Sequence, residues 1–332
     1  MKATTALKSV SVIIPTTGEN KTISEAVMSV LRNQVLEVIV VSKTKVEILP
    51  ARQGNVRVVV APDLNISQAR NLGIEMGTAE IVAFTDDDCT VAENWVSSAL
   101  TLFKDETIAI VGGPGITDPN DSDLAKCAGA VLASPFATFS CAARYSKSHH
   151  THKASERNVS TCNLFFRRST LKQVGLFSSE QYPCEENDLI ERIQRSGYKV
   201  IYSPSCVVYH HRRPLFLPFL KQISFYGAGR ALFIVRRPRT FRPMFIGPSV
   251  MFLMTITIPL LYVFYLQGFL LVATLHILYF MLMLTGALRS ALINKLRYRF
   301  VPIIFAGIVL MHYCYGLSFI KGLAKSAWRA DS

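Results

Sequence analysis

The chain has 332 residues, 36 Lys and Arg against 23 Asp and Glu, a formal net charge of +13, and an apolar half. Such a length holds two ordinary domains, and so apolar a composition excludes a fully solvated chain. The charge is divided: 22 acids face 18 bases up to Glu191, and beyond it a single acid, Asp331, faces 18 bases. A basic stretch without acids beside long apolar runs marks membrane spans with cytoplasmic flanks. Nucleic acid is excluded as a partner, because the bases border apolar runs and not an aromatic-studded polar surface.

In chain order, the first 110 residues alternate strands and helices. Val10–Ile14 is an apolar run closed by Pro15, Ser24–Arg32 has helical spacing, and Glu37–Val41, Val56–Val60 and Ile81–Phe84 are β-branched or apolar runs. Short, fully apolar strands between helices predict a parallel sheet covered on both faces, with ligands beyond the carboxyl ends of the strands. Pro15-Thr16-Thr17 and Thr85-Asp86-Asp87-Asp88 stand at such ends. Residues 112–160 read as loops with one short helix at Leu124–Leu132. A strand at Leu164–Phe166, a helix from Glu186 to Arg195 closed by Gly197, and a strand at Val200–Tyr202 follow.

Leu215–Val235, interrupted by Pro218, Gly227 and Gly229, reads either as one or two helices lying at a membrane surface or as a buried helix pair of the soluble domain. Beyond Arg242, three charge-free runs at 244–266, 269–288 and 300–320 are each long enough to cross a bilayer at ~20 residues per span. The basic loop Arg289–Arg299 belongs on the cytoplasmic side, so the first two spans form an out-and-back hairpin or, given the tight connection at Gln267-Gly268, a re-entrant one. A third span places Lys321, Lys325 and Arg329 outside, against the charge rule. The start, Met1 to Thr5, has no apolar core of a signal peptide, so the front domain is expected in the cytosol. The seven cysteines show no CxxC pair and read as reduced, mostly buried thiols. His149, His150 and His152 are read as loop residues without a ligand role.

Three successive carboxylates directly after a buried strand repel one another, and a divalent cation removes that cost. Mn²⁺ or Mg²⁺ takes carboxylate oxygens together with substrate phosphates. Asp86 and Asp88 project to one side and would hold the ion, with Asp87 on the donor side.

The run Ile66-Ser67-Gln68-Ala69-Arg70-Asn71-Leu72-Gly73-Ile74, then Gly77–Phe84 into the acidic cluster, resembles the ARNxGI…GEYIxFLDxD segment of family 2 glycosyltransferases. Ser11–Thr16 looks like that family's opening strand. Asn163–Arg168 with Val174-Gly175-Leu176-Phe177 is similar to its NxxxRR…VGxF segment. Glu185–Arg192 stands where the family has EDxDLxxR, and Val208–Arg213 where it has VYHHHR. Gln222–Arg230 resembles the QxxxYGxGR stretch of membrane-tethered transferases of the succinoglycan-biosynthesis type. The resemblance spans residues 10–240.

The resemblance implies an α/β fold of the GT-A type, a Rossmann-like, mostly parallel sheet with helices on both faces, followed by a helical transmembrane bundle. The implied divisions are a cytosolic catalytic domain at 1–212, interfacial helices at 213–243, a membrane region at 244–320 and a basic tail at 321–332. Glu186 takes the place of the catalytic base, where the family more often has Asp, and His210 that of a third metal ligand. Pro15, Thr16, Thr17, Glu19, Ser42, Arg70 and Asp87 fall on the donor side. Asn163, Glu185, Asp188, His211, Arg212 and Arg230 fall on the acceptor or phosphate side, Asp188 also orienting its helix. One departure is plain: the family's Asp-Asp-Gly-Ser after the second strand is here Ser42-Lys43-Thr44-Lys45. Thr16, Glu19 and Ser42 would then supply hydrogen bonds to the nucleobase.

The implied function is inverting, metal-dependent transfer of one sugar from a nucleotide-sugar donor, UDP- or GDP-linked with UDP favoured. The acceptor would be lipid-linked, at the cytosolic face of the cell membrane. The alternatives are a polyprenyl-phosphate sugar synthase and a catalytically silent membrane partner of the same fold. A processive polymerase is disfavoured, because no Trp follows in a QxxRW element: Trp95 and Trp328 are the only two.

Overall fold

A computed structural model of the chain describes residues 9–48 and 55–330. The N-terminal expectation at Met1–Thr5, and Asp331 at the end of the basic tail, lie outside these residues. The described chain falls into two units, one comprising the described part of 1–118 with 143–211, the other 119–142 with the described part of 212–332.

The first unit begins with β1 (Val10–Thr16), buried along its whole length, as a central strand with helices over both faces must be. It continues through α1 (Ile23–Leu31), β2 (Glu37–Ser42), β3 (Val56–Val60), α2 (Ile66–Met76), β4 (Ile81–Phe84), β5 (Cys89–Val91), α3 (Trp95–Leu102), β6 (Ile108–Gly112) and β7 (Gly115–Thr117). After α4 (Asp123–Leu132) and α5 (Pro135–Thr138), which belong to the second unit, come β8 (His152–Lys153), β9 (Leu164–Arg167), α6 (Arg168–Val174), α7 (Glu185–Arg195), β10 (Lys199–Tyr202) and β11 (Val208–His210).

The main sheet has the order β3-β2-β1-β4-β9-β6-β10-β8. Its pairs β3/β2, β2/β1, β1/β4 and β6/β10 are parallel, while β9 runs antiparallel between β4 and β6. This is the expected α/β fold of the GT-A type, with a reversed strand at its middle. His152, read from sequence as loop, instead edges this sheet by antiparallel pairing with Tyr202. Helix α2 starts at a capping box, Asn65 accepting from Gln68 N–H while the Gln68 side chain accepts from Asn65 N–H. It lies so close on β1 that a Cβ at Gly73 would stand 2.5 Å from Ile13 Cγ2. Val12, Ile14, Val38, Val40, Ile81 and Ala83 bury one face of the sheet, and Ile13, Val82, Phe84 and Phe166 the other.

A small second sheet, ordered β5-β11-β7, sits at the carboxyl edge. In its antiparallel register His210 pairs with Cys89, and His211 N–H donates to Asp88 O at 3.0 Å. Local sequence alone does not give this step: it carries a histidine from the end of the unit onto the acidic turn.

The second unit is helical, with α8 (Leu217–Arg236), α9 (Gly247–Phe264), α10 (Leu266–Ile293) and α11 (Val301–Ala330). Leu217–Arg236 is one continuous helix despite Pro218, which sits in its first turn where no N–H partner is lost. Three stretches, Gly247–Phe264, Leu266–Ile293 and Tyr298–Ser326, are long and apolar enough to cross a membrane. The break between the first two falls at Tyr265, and not at Gln267-Gly268 as the sequence suggested: both of those residues are inside α10. Glycines let the helices meet: a Cβ at Gly316 would stand 2.4 Å from Pro248 O, and one at Gly227 2.6 Å from Tyr315 O. Asp123–Leu132 and Pro135–Arg144 together pass the same test as a pair bent by 58°. A cavity of about 480 Å³ in the helical unit is lined by Phe136, Phe139, Met251, Tyr279, Met283 and Arg289, among others.

Candidate active site

Strand β4 ends at Phe84, paired with Ile13, so the next four residues emerge beyond the sheet beside the end of β1. The turn separates its three carboxylates. Asp87 points back toward the loop after β1, accepting from Thr16 Oγ1 and from Asn20 Nδ2, and its carbonyl accepts from Thr22 Oγ1 at 2.7 Å. Asp86 and Asp88 come together with Cys89 and His210, each offering one ligand atom within 4.8 Å of the others. His210 Nε2 lies 3.1 Å from Asp88 Oδ1. Burial, with Cys162 and Asp88 close by, pushes the Asp86 carboxyl up to about 7, against the opposing pull of Arg70 and His210. Two carboxylates and an imidazole converging in so protonation-prone a place fit Mn²⁺ or Mg²⁺, since a cation would remove the repulsion that burial intensifies.

The donor-side expectations meet a clasp between two loops. Lys43 N–H donates to Thr16 O at 3.1 Å, Thr44 Oγ1 to Thr17 O at 3.2 Å, and Thr44 N–H to Ser42 Oγ at 3.3 Å. Gly18 makes this possible: its φ is +85°, and a Cβ there would stand 2.0 Å from Thr44 Oγ1. Pro15 is buried in β1 opposite Val41, while Glu19 is exposed on the loop. This rim carries the hydroxyls and carbonyls of Thr16, Thr17, Ser42 and Thr44.

A second network lies at the start of α7. Arg70 Nη1 meets Glu185 Oε1 at 2.7 Å and Arg70 Nη2 donates to Thr161 Oγ1 at 3.0 Å, so Arg70 is buried and paired inside the protein while its charge still reaches Asp86. Thr161 in turn gives its N–H and its hydroxyl to Glu186 Oε2, at 2.9 and 2.6 Å. Arg144 Nη1 stands 3.3 Å from Glu186 Oε1, and its Nη2 donates to Asn187 Oδ1. Burial by itself would raise the Glu186 carboxyl, but Arg144 and the Thr161 donors outweigh it and hold it below the ordinary carboxylate range. Glu185 goes the other way, raised by burial against the pull of Arg70.

The other residues expected on the acceptor side lie as follows. Asn163 is wholly buried, accepting from Trp95 Nε1 and donating to Pro114 O and Cys206 O, so all its polar atoms are used in holding the small sheet to the large one. Asp188 is buried in an ion pair with Arg192 at 2.8 Å. Arg212 and Arg230 belong to the helical unit, where Arg212 N–H donates to Asp121 and the Arg230 guanidinium lies 4.6 Å from the Phe245 ring centroid. Sequence reasoning passed over Arg144, which carries no motif, and Cys89 and Cys162, each adjacent to a residue that was singled out.

Comparison with known proteins agrees with this architecture. Residues 11–175 match the family model described as glycosyl transferase family 2. The pre-mycofactocin glycosyltransferase of Mycobacterium tuberculosis is 27% identical over 190 residues, covering 54% of this chain but only 37% of that protein's length. Glycosyltransferase AglE of Haloferax volcanii is 26% identical over 247 residues, 68% of this chain and 74% of AglE. Among solved structures, a mannosyltransferase from Pyrobaculum calidifontis in complex with GDP-Man and Mn²⁺ covers 97% of this chain and 88% of its own. The two are 16% identical with a TM-score of 0.60, a likeness of fold.

Proposed function

From the premise that the chain carries a glycosyltransferase family 2 domain at residues 11–175, we propose that it transfers one sugar, with inversion, from a nucleotide-sugar donor to a lipid-linked acceptor. The observation that carries this is the convergence of Asp86, Asp88 and His210 at the carboxyl edge of the sheet. Mn²⁺ or Mg²⁺ held there would neutralise charge on the departing nucleoside diphosphate. The chain's own groups do the rest. The hydroxyls and carbonyls of Thr16, Thr17, Ser42 and Thr44 meet the nucleoside, without the carboxylate that relatives place after the second strand. Glu186, ionised at neutral pH, takes the proton of the acceptor hydroxyl as that oxygen attacks the anomeric carbon. Thr161 and Arg144 fix its orientation.

The lipid acceptor is supported by the helical unit. The chain that bears His210 enters α8 at Leu217 and then runs through three helices able to cross a bilayer, a covalent tether to the membrane. The cavity in that unit is lined mostly by apolar side chains with Arg289 among them, a composition suited to a hydrocarbon chain with an anionic head. The basic loop 289–299 is assigned to the cytoplasmic side, and the catalytic unit with it. The acceptor is either a polyprenyl phosphate itself or a sugar already carried on one.

The replacement of the usual carboxylates by Ser42-Lys43-Thr44-Lys45 favours one other reading, a membrane partner of the same fold that binds nucleotide without turnover. Purified full-length protein in detergent, given labelled UDP- or GDP-sugars, Mn²⁺ and polyprenyl phosphate, separates the two. Label extracted into the organic phase supports transfer. Nucleotide binding without product from any donor, with or without a sugar primer on the lipid, supports the silent partner.

A further inference from the structure

The acidic turn does not stand alone in its pocket. Cys89, the first residue of β5, and Cys162, in the single helical turn Thr161–Asn163, come together with His210 so that two sulfurs and one imidazole nitrogen lie within 4.8 Å of one another. The cysteines are 73 positions apart in sequence, and the fold brings them face to face. Both are buried, and His210 is partly so. Among the described residues, the only two groups of three or more such ligand atoms this close are this one and the Asp86-Asp88-Cys89-His210 group that overlaps it.

We propose that Cys89, Cys162 and His210 form a second, soft ligand set that binds Zn²⁺, with water in the fourth position, in competition with the hard ion held by Asp86 and Asp88.

Hard Mg²⁺ and Mn²⁺ gain little from sulfur, whereas Zn²⁺ prefers thiolate and imidazole in tetrahedral array. Asp88 Oδ1 lies 3.6 Å from Cys89 Sγ and 3.1 Å from His210 Nε2, so one carboxylate oxygen touches both sets. His210 belongs to both sets, and the pocket therefore takes one ion at a time. The ligands are held before any ion arrives. Cys89 and His210 are locked by strand register, and Cys162 is flanked by Thr161, bound to Glu186 and Arg70, and by Asn163, bound to Trp95, Pro114 and Cys206. On binding, each thiol releases its proton to solvent and both sulfurs become thiolate ligands, with no redox change. The ligand set stands whether or not the chain transfers sugar. Only the consequence, that Zn²⁺ inhibits by excluding the hard ion, rests on the function proposed above.

The test uses Co²⁺ as a coloured stand-in for Zn²⁺. Purified full-length protein, reduced and stripped of metal, is titrated with Co²⁺. A thiolate-to-cobalt charge-transfer band is expected, reaching saturation at one equivalent and bleached by one equivalent of Zn²⁺. Cys89→Ser and Cys162→Ser should each diminish the band and weaken Zn²⁺ binding at least ~100-fold, the upper end of what losing a merely supporting group costs. Cys141→Ser and Asp86→Asn should leave the band in place. Unchanged thermal unfolding of the serine variants without metal excludes misfolding as the cause. Absence of the band in the wild-type protein, or its survival in both serine variants, overturns the proposal. A failure to transfer sugar leaves this result untouched and counts against the function alone.

Discussion

Replacing Glu186 by Gln separates binding from chemistry, and the structure sets the size of both effects. The Gln amide oxygen can still accept from Thr161 N–H and Oγ1, the two bonds of 2.9 and 2.6 Å. What is lost is the oxygen facing Arg144 at 3.3 Å, a charge-assisted contact of ~1.5–3 kcal/mol at most. Arg144 keeps Arg157 O, Glu156 O and Asn187 Oδ1, so it is not stranded. The fold should survive, and nucleotide affinity should stay within about threefold, since no donor-side contact changes. Transfer should fall by ~10²–10⁴-fold, the usual worth of a general base. Sign follows for pH as well. Because Arg144 and Thr161 hold the Glu186 carboxyl below its ordinary value, the acidic limb of the rate profile should lie below pH 4.5. Arg144→Gln removes the largest lowering influence and leaves burial, so the limb should move to higher pH. Both are read from initial rates of labelled sugar transfer across pH, with nucleotide binding measured by calorimetry. A Glu186→Gln enzyme with transfer within tenfold of wild type would refute the assignment of the base.

Other consequences follow from packing. Asn163→Leu leaves Trp95 N–H and the Pro114 and Cys206 carbonyls buried and unmet, at ~1–3 kcal/mol each. Limited proteolysis should then cleave the catalytic unit at markedly lower temperature, and wild-type resistance would contradict the clamp. Gly316→Leu must part α11 from α9, where a Cβ already stands 2.4 Å from Pro248 O, and should give heterogeneous protein on size exclusion, unlike Ala324→Leu at an exposed position of α11. A cysteine at Lys295, in a background with Cys141 and Cys314 replaced by Ser, should react with a membrane-impermeant maleimide only in inverted vesicles. Labelling in right-side-out cells would reverse the topology.

Much of the catalytic unit was legible because its signals are local. The apolar runs that became β1, β2 and β4 are buried on both faces and needed no alternation to be read, while β3, equally apolar in sequence, is the half-exposed edge strand. The acidic triplet announced itself by a repulsion that a fold without a cation has no reason to keep. Other features were hidden because they depend on pairing across the chain. The register of β5 with β11 brings Cys89 to His210, and nothing within either segment predicts it. Arg70 was read toward the donor, but a buried carboxylate 115 positions away, Glu185, claims it. Asn163 was placed on the acceptor side by its match to the family's NxxxRR segment, whereas in a fully enclosed place its amide serves three internal partners. The helix break at Tyr265 escaped notice since Gly268, less than one turn further on, drew attention as the obvious weak point; inside α10 it lets the Tyr265 ring lie close, a Cβ there standing 2.3 Å from Tyr265 Cδ1.

The most direct measurement is calorimetric titration of UDP and GDP into the metal-stripped full-length protein, with and without Mn²⁺, on wild type and Asp88→Ala. The account predicts tight nucleotide binding by wild type only when Mn²⁺ is present, and none of that gain in Asp88→Ala. Equal affinity without the ion, or a full Mn²⁺ effect in the variant, would contradict it.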